Sequence, residues 1–133
     1  MKRIGKLLLI LLPLILAGCQ QAAEKRIRAA FDIGPDVKIT EEVISANVLK
    51  QVPLGTKKEV VLKRLRELEE GPLVGMSDSI VGVYPIDGEN RVVFRFEYGN
   101  SMRLVKEHYA VEFSFSDEDL LKEVVPHVWL TGL

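Results

Sequence analysis

The residues able to do chemistry are few in this chain of 133 residues: one cysteine, two histidines and one acidic run. Cys19 offers a nucleophilic thiol. His108 and His127 have the side chain that most often serves as an acid, a base or a metal ligand. The segment SDED at 116–119 brings three carboxylates together. The spacing of each group decides whether a chemical or a structural role is the better interpretation.

The spacing around the two histidines does not suit catalysis or metal binding. In a strand His108 and Glu107 point to opposite faces, and Glu112, on the same face as His108, lies about 13 Å away from it. His127 precedes Trp129 by two residues and is expected to pack against its ring. SDED lacks the central glycine and the distant glutamate of a calcium loop, which favours a polar turn. The sequence therefore predicts a protein that is not an enzyme and that has neither catalytic residues nor a metal site.

The cysteine follows a leader of the secretory type. MKRIGK is positively charged, and an apolar run of 11 residues extends from Leu7 to Ala17. A helix of that length spans about 17 Å, which is too short for a hydrocarbon core of ~30 Å, and Pro13 interrupts it. A basic start, a short apolar stretch and small residues before a cleavage point are typical of a signal peptide. Residues 1–18 are therefore predicted to be a signal peptide.

The segment LAGC, residues 16–19, resembles the lipobox of bacterial lipoproteins. The resemblance implies cleavage by signal peptidase II between Gly18 and Cys19, a diacylglycerol on the thiol of Cys19 and an acyl chain on its new amine. Two or three acyl chains anchor a protein stably in a membrane, whereas a single acyl chain binds it only marginally. After cleavage Gln20 would be the second residue of the mature chain. In a host with two membranes, a residue other than aspartate there implies that the lipoprotein is carried to the periplasmic face of the outer membrane. The alternative is an ordinary secreted protein with a chance cysteine.

Charge argues against nucleic acid as a partner. The net charge of the whole chain is −1, but three of its basic residues lie in the leader. Residues 19–133 carry 15 basic side chains against 19 acidic ones, a net charge of −4. Binding to phosphate backbones needs a surplus of lysine and arginine on one face.

Because Cys19 is the single cysteine of the sequence, no disulfide framework within the chain and no thiolate metal site are expected.

Residues 19–36 are interpreted as a lipidated N-terminus and a partly ordered tether. Only Ile27 and Phe31 form an apolar face there, and Gly34-Pro35 ends any helix. A short helix docked on the domain and a basic segment touching lipid headgroups are the alternatives. The three basic residues of this segment, Lys25, Arg26 and Arg28, are expected to form a solvated face.

Two helices are predicted at the start of the domain proper, residues 37–133. Thr40 precedes a short apolar pattern that Pro53 and Gly55 terminate, so Thr40 is expected to cap a helix. A second helix is predicted from about Lys57 to about Glu69, with Thr56 and Glu59 as a capping box and Gly71-Pro72 as its end. The turn VPLGT would join them as a hairpin.

Beyond Gly75 the period changes from helical to two. SIVGVYPI is predicted to be a strand broken by Pro85, and DGEN a turn. RVVFRFEY and SMRLVKEHYAVEFSF alternate as strands. LLKEVVPHVWL is either a short helix capped by Ser116 or a strand, in which case Pro126 makes it an edge strand. The apolar side chains expected on one face are Val92, Phe94, Phe96, Tyr98, Val105, Tyr109, Val111, Phe113 and Phe115.

These elements predict an α+β fold, with a two-helix hairpin packed on one face of a three- to four-stranded antiparallel sheet. VPLGTKKEVV at 52–61 and YAVEFSFSDEDLLKEV at 109–124, on a chain with a lipobox, resemble the SmpA/OmlA family of small outer-membrane lipoproteins. That family includes the E subunit of the β-barrel assembly machinery. The resemblance implies a small envelope domain that works beside other proteins.

The functional hypothesis is a membrane-anchored lipoprotein that acts as a non-enzymatic protein-binding or scaffold module of the cell envelope. The lipid on Cys19 provides the membrane contact, and an envelope protein is the expected partner. Neither nucleic acid nor a small-molecule substrate is expected, and no cofactor beyond the covalent acyl chains. Tyr84 and Trp129 are the candidate partner-binding residues. The alternative is an inhibitor or immunity-type lipoprotein that blocks a secreted enzyme or toxin.

Overall fold

A computed structural model of the chain describes residues 22–83, 90–98 and 105–132. Within those ranges three helices precede a four-stranded antiparallel sheet of order β1-β2-β3-β4. The helices share one core with one face of the sheet, so the predicted α+β class is confirmed. The elements are α1 (residues 22–31), α2 (Glu41–Gln51), α3 (Lys58–Glu70), β1 (Ser77–Val83), β2 (Asn90–Tyr98), β3 (Val105–Phe115) and β4 (Leu121–Gly132).

Helix α1 belongs to the core. Ile27 and Phe31 are each 1% exposed, and Ala30 between them is fully buried. The ring of Phe31 lies 5.4 Å from that of Phe96 on β2. The interpretation of this segment as a partly ordered tether is therefore wrong, and the docked helix is the correct alternative. The packed domain includes residues from 22 onward, not only those from 37.

The end of α1 uses an aspartate where a glycine is common. Asp32 has φ 53°, in the left-handed region, and the N–H of Ile33 donates to the carbonyl of Arg28 at 2.8 Å. Ile33 is buried against the core, as expected for the residue that follows such a helix end. The Arg28 guanidinium also donates to the carbonyls of Gly34 and Val37, both at 2.6 Å. The Arg28 side chain therefore joins the end of α1 to the loop that follows it, and the prediction that it belongs to a solvated face is wrong.

Helix α2 begins as predicted. The hydroxyl of Thr40 accepts a hydrogen bond from the N–H of Val43 at 3.2 Å. Ile44 and Val48 point from α2 into the core. The amide groups of Asn47 and Gln51 donate to the carbonyls of Asp32 and Ala30, each at 3.1 Å, and so fasten α2 to the end of α1.

Helix α3 begins by a different route from the one predicted. The hydroxyl of Thr56 donates to the carbonyl of Pro53 at 2.5 Å, and no side chain caps the helix, so the capping box of Thr56 and Glu59 is wrong. Instead the N–H of Lys58 donates to the carbonyl of Asp119 at 2.9 Å, beyond a short backbone ladder between residues 55–57 and 120–121. The turn between β3 and β4 therefore supplies the acceptor.

The end of α3 depends on Gly71. A Cβ atom there would lie 2.8 Å from the carbonyl oxygen of Glu67, which is closer than real Cβ contacts allow. Glycine therefore lets the chain turn back tightly before β1. Val61, Leu65 and Leu68 form the buried stripe of this helix, as the sequence predicts.

The sheet has the predicted alternation. β2 and β3 pair residue for residue from Asn90 with Phe115 to Tyr98 with Glu107, and β4 pairs with β3 as an edge strand. The last segment is thus a strand, and Pro126 lies on an edge as expected. The strand predicted at SIVGVYPI begins two residues earlier, at Ser77. The buried side chains of the core-facing sheet surface are Val92, Phe94, Phe96, Tyr109, Val111, Phe113, Phe115, Leu121 and Val124.

Candidate functional site

The sheet surface opposite the core is the candidate site. Because side chains alternate along a strand, the residues between the buried ones point away from the helices. This outer face combines acidic, basic and aromatic groups with two small, buried residues in its middle strand. We call it the outer face; its residues are Arg91, Val93, Arg95, Glu97, His108, Ala110, Glu112, Ser114, Glu123, Val125, His127 and Trp129.

One row of the outer face positions an exposed tryptophan. Glu97, His108 and Trp129 are direct cross-strand neighbours on β2, β3 and β4. The imidazole of His108 stacks on the indole of Trp129, with ring centres 5.4 Å apart and planes at 13°. Oε1 of Glu97 lies 3.7 Å from Nδ1 of His108 on the other side. The indole thus lies against the imidazole while 38% of Trp129 remains exposed.

A second pair lies along the same strands. Oε2 of Glu112 is 3.4 Å from Nε2 of His127, with 49% of the His127 side chain exposed. The register pairs Glu112 with Val125, so the contact to His127 is diagonal across the strands. The ring that stacks on Trp129 is that of His108, and the partner the structure gives His127 is Glu112, in place of the predicted packing on the indole. Sequence spacing missed both contacts, since each joins different strands.

The outer face places charged, imidazole and aromatic groups side by side. In each histidine–glutamate pair a carboxylate can orient an imidazole, and next to it a flat aromatic surface meets solvent. Over the described ranges, no three histidine, cysteine, aspartate or glutamate side chains converge as metal ligands.

A void in the core between the helices and the sheet measures about 10 Å³ and is lined mostly by apolar residues such as Phe31, Leu65 and Phe113.

The outer edge of β4 is protected against further strand pairing. The N–H of Val128 points away from β3 and donates to Oε1 of Glu41 at 3.2 Å. Pro126, two residues earlier and in the same orientation, has no N–H to offer. These are two of the devices by which sheets avoid edge-to-edge association. The middle of this edge is therefore not a docking strand, and the outer face is the better candidate surface.

Only one of the residues that the sequence predicts for a site lies within the described ranges. Trp129 lies on the outer face and not in the core. Tyr84, Gly18 and Cys19 lie outside the described residues. Of the helices that the structure describes, none is long and apolar enough to cross a bilayer.

In comparisons with known proteins, no family model, curated protein or solved structure matches this chain. The resemblance to the SmpA/OmlA family stays a sequence-based prediction.

Proposed function

We propose that this protein is a lipid-anchored, non-enzymatic module of the bacterial cell envelope that binds another envelope protein through its outer face. The observation that carries the proposal is the exposed indole of Trp129, stacked on the imidazole of His108. Tryptophan is enriched among the residues that dominate protein–protein affinity. A pre-ordered ring also loses little conformational entropy when a partner covers it.

The surroundings of Trp129 suit a protein partner better than a small ligand. The outer face is an extended sheet surface that carries both signs of charge, with Arg95 and Glu97 adjacent on β2 and Glu112 on β3. Trp129 lies near the end of the edge strand β4, and charged side chains beside an exposed aromatic one are typical of the place where the rim of an interface meets its apolar core. An acylated Cys19 would hold the domain beside neighbouring membrane proteins and raise its effective concentration for them.

Capture from envelope extract tests the proposal. The lipidated full-length protein is compared with Trp129→Ala and with Leu54→Ala, which removes another exposed apolar side chain, 60% exposed, at the α2–α3 turn. We expect an envelope protein to co-purify with the wild type and Leu54→Ala, and to be lost or much reduced with Trp129→Ala. Failure to capture any envelope protein above background would contradict the proposal.

The inhibitor alternative has its own signature in the same experiment. A captured secreted enzyme or toxin that loses activity on binding would identify a blocking function. A captured structural or assembly component of the envelope would support the scaffold function instead. In both cases the Trp129→Ala comparison reports whether the outer face makes the contact.

A further inference from the structure

The chain between the predicted anchor and the folded domain is very short. Only Gln20 and Gln21 separate Cys19 from Ala22, the first described residue of α1. Three residue steps of fully extended chain span at most about 11 Å. Because α1 is itself packed in the core through Ile27 and Phe31, a lipid on Cys19 would hold the folded domain and not a long flexible arm. This inference rests on the lipid anchor of the proposed function.

A loop lies beside the middle of α1. The Arg26 guanidinium donates through Nε to the carbonyl of Pro72 at 2.9 Å, and through its Nη2 to the carbonyl of Val74. Residue 26 is only about 6 Å along the helix axis from residue 22. The segment between α3 and β1 is therefore fastened to the middle of α1, at the side chain of Arg26.

This part of the molecule exposes an apolar side chain among charged ones. Val74 is 56% exposed at the tip of the loop, next to Gly75 with φ +76°. Lys25, one turn into α1, is exposed as well. The exposed carboxylates of Glu24 and Glu70 are nearby, so it is the apolar side chain of Val74, and not a surplus of positive charge, that suits the boundary between headgroups and acyl chains.

The opposite end of α1 lies away from the anchor. Residue 30 is about 12 Å further along the axis than residue 22. Its carbonyl accepts the hydrogen bond from Gln51, and Leu54 follows at the exposed turn after α2. Val74, whose carbonyl is bonded to Arg26 in the middle of α1, is closer to the anchor than Leu54, near the far end of that helix, and the two exposed apolar side chains form a matched pair for a test.

We propose that the end of the domain formed by the start of α1 and residues 71–76 rests on the bilayer surface, with Val74 in contact with lipid. The short connection to Cys19 sets this orientation. A loop already fastened to α1 by Arg26 then meets the membrane as a rigid part of the domain.

Tryptophan fluorescence with brominated lipids tests the orientation. The lipidated full-length protein carries Trp129→Phe with either Val74→Trp or Leu54→Trp, in phosphatidylethanolamine–phosphatidylglycerol vesicles with plain or brominated acyl chains. We expect brominated lipid to quench the indole at 74 strongly and the indole at 54 little. Equal quenching at both positions, or stronger quenching at 54, would overturn the proposed orientation.

Two further measurements separate this inference from the proposed function. Mass spectrometry of the same samples reports the lipid on Cys19; its absence overturns the anchor and this inference together, whereas equal quenching with the lipid present overturns only the orientation. Insertion of ten Gly/Ser residues between Gln21 and Ala22 adds a flexible span of about 17 Å. Quenching at 74 should then fall toward the value at 54, and unchanged quenching would overturn the role of the short connection.

Discussion

The carboxylate of Glu41, in the first turn of α2, accepts a hydrogen bond at 3.2 Å from the backbone N–H of Val128 on β4. The two residues are 87 positions apart in the chain. The contact fastens a helix to the edge of the sheet and occupies an N–H that would otherwise be available to another strand. With Pro126 beside it, the contact makes the edge of β4 a poor template for association.

Glu41→Ala should therefore lower the stability of the fold slightly and leave the N–H of Val128, on the edge of β4, available to another strand. The lost hydrogen bond is exposed, so we expect the free energy of unfolding to fall by about 0.5–1.5 kcal/mol. We also expect self-association to rise with protein concentration. Urea unfolding measures the first effect and sedimentation velocity the second.

Glu42→Ala is the matched control for that variant. Glu42 is also an exposed carboxylate in the first turn of α2, so its removal has the same effect on the helix dipole. A Glu41→Ala protein that stays as monomeric and as stable as Glu42→Ala would show that the contact does not protect the edge.

Patterns within one element were predictable from the sequence. The alternation in β2 and β3 predicts the burial of Phe94, Phe96 and Phe113 because side chains of one strand alternate whatever its neighbours are. The cap of α2 by Thr40 was predictable for the same reason, since donor and acceptor lie three residues apart. Such signals are local, and the fold class follows from their order along the chain.

Contacts between distant segments were not predictable in this way. The first N–H of α3 bonds to Asp119, and α1 is stabilised by Phe96, neither of which a local pattern reveals. The pairs of the outer face depend on register across β2, β3 and β4. The register of β4 shifts by one residue next to Ser114, so even a correct β3–β4 turn does not give the partners of His108.

Phe31→Ala tests whether α1 is an integral part of the domain. The side chain is 1% exposed and lies against Phe96, so its removal leaves a cavity in the shared core. We expect a loss of about 3–5 kcal/mol in the free energy of unfolding, measured by urea denaturation. Lys25→Ala, on the exposed side of the same helix, should change it by less than about 0.5 kcal/mol. Similar stabilities for the two variants would favour a tether over a packed helix.

A pair of threonine variants separates the two helix starts. Thr40→Ala removes the acceptor for the N–H of Val43 and should cost about 1 kcal/mol of unfolding free energy. Thr56→Ala should cost less, because the N–H of Lys58 keeps its bond to Asp119. Thermal or urea unfolding of both variants measures the difference. A larger loss for Thr56→Ala would mean that its side chain stabilises the start of α3 after all.

Trp129→Ala tests whether the tryptophan is kept for binding and not for stability. The ring is partly exposed and its described ring contact is the stack on His108, a kind of contact for which about 0.5–1.5 kcal/mol is typical. Burial of part of the ring adds to that amount, and we expect the total loss of unfolding free energy to stay below that of Phe113→Ala, 1% exposed on the other face of the sheet, which should lose about 3–5 kcal/mol. Urea unfolding compares the two. A tryptophan variant as unstable as the phenylalanine variant would show that the indole supports the fold, and any loss of partner capture would then have a structural cause.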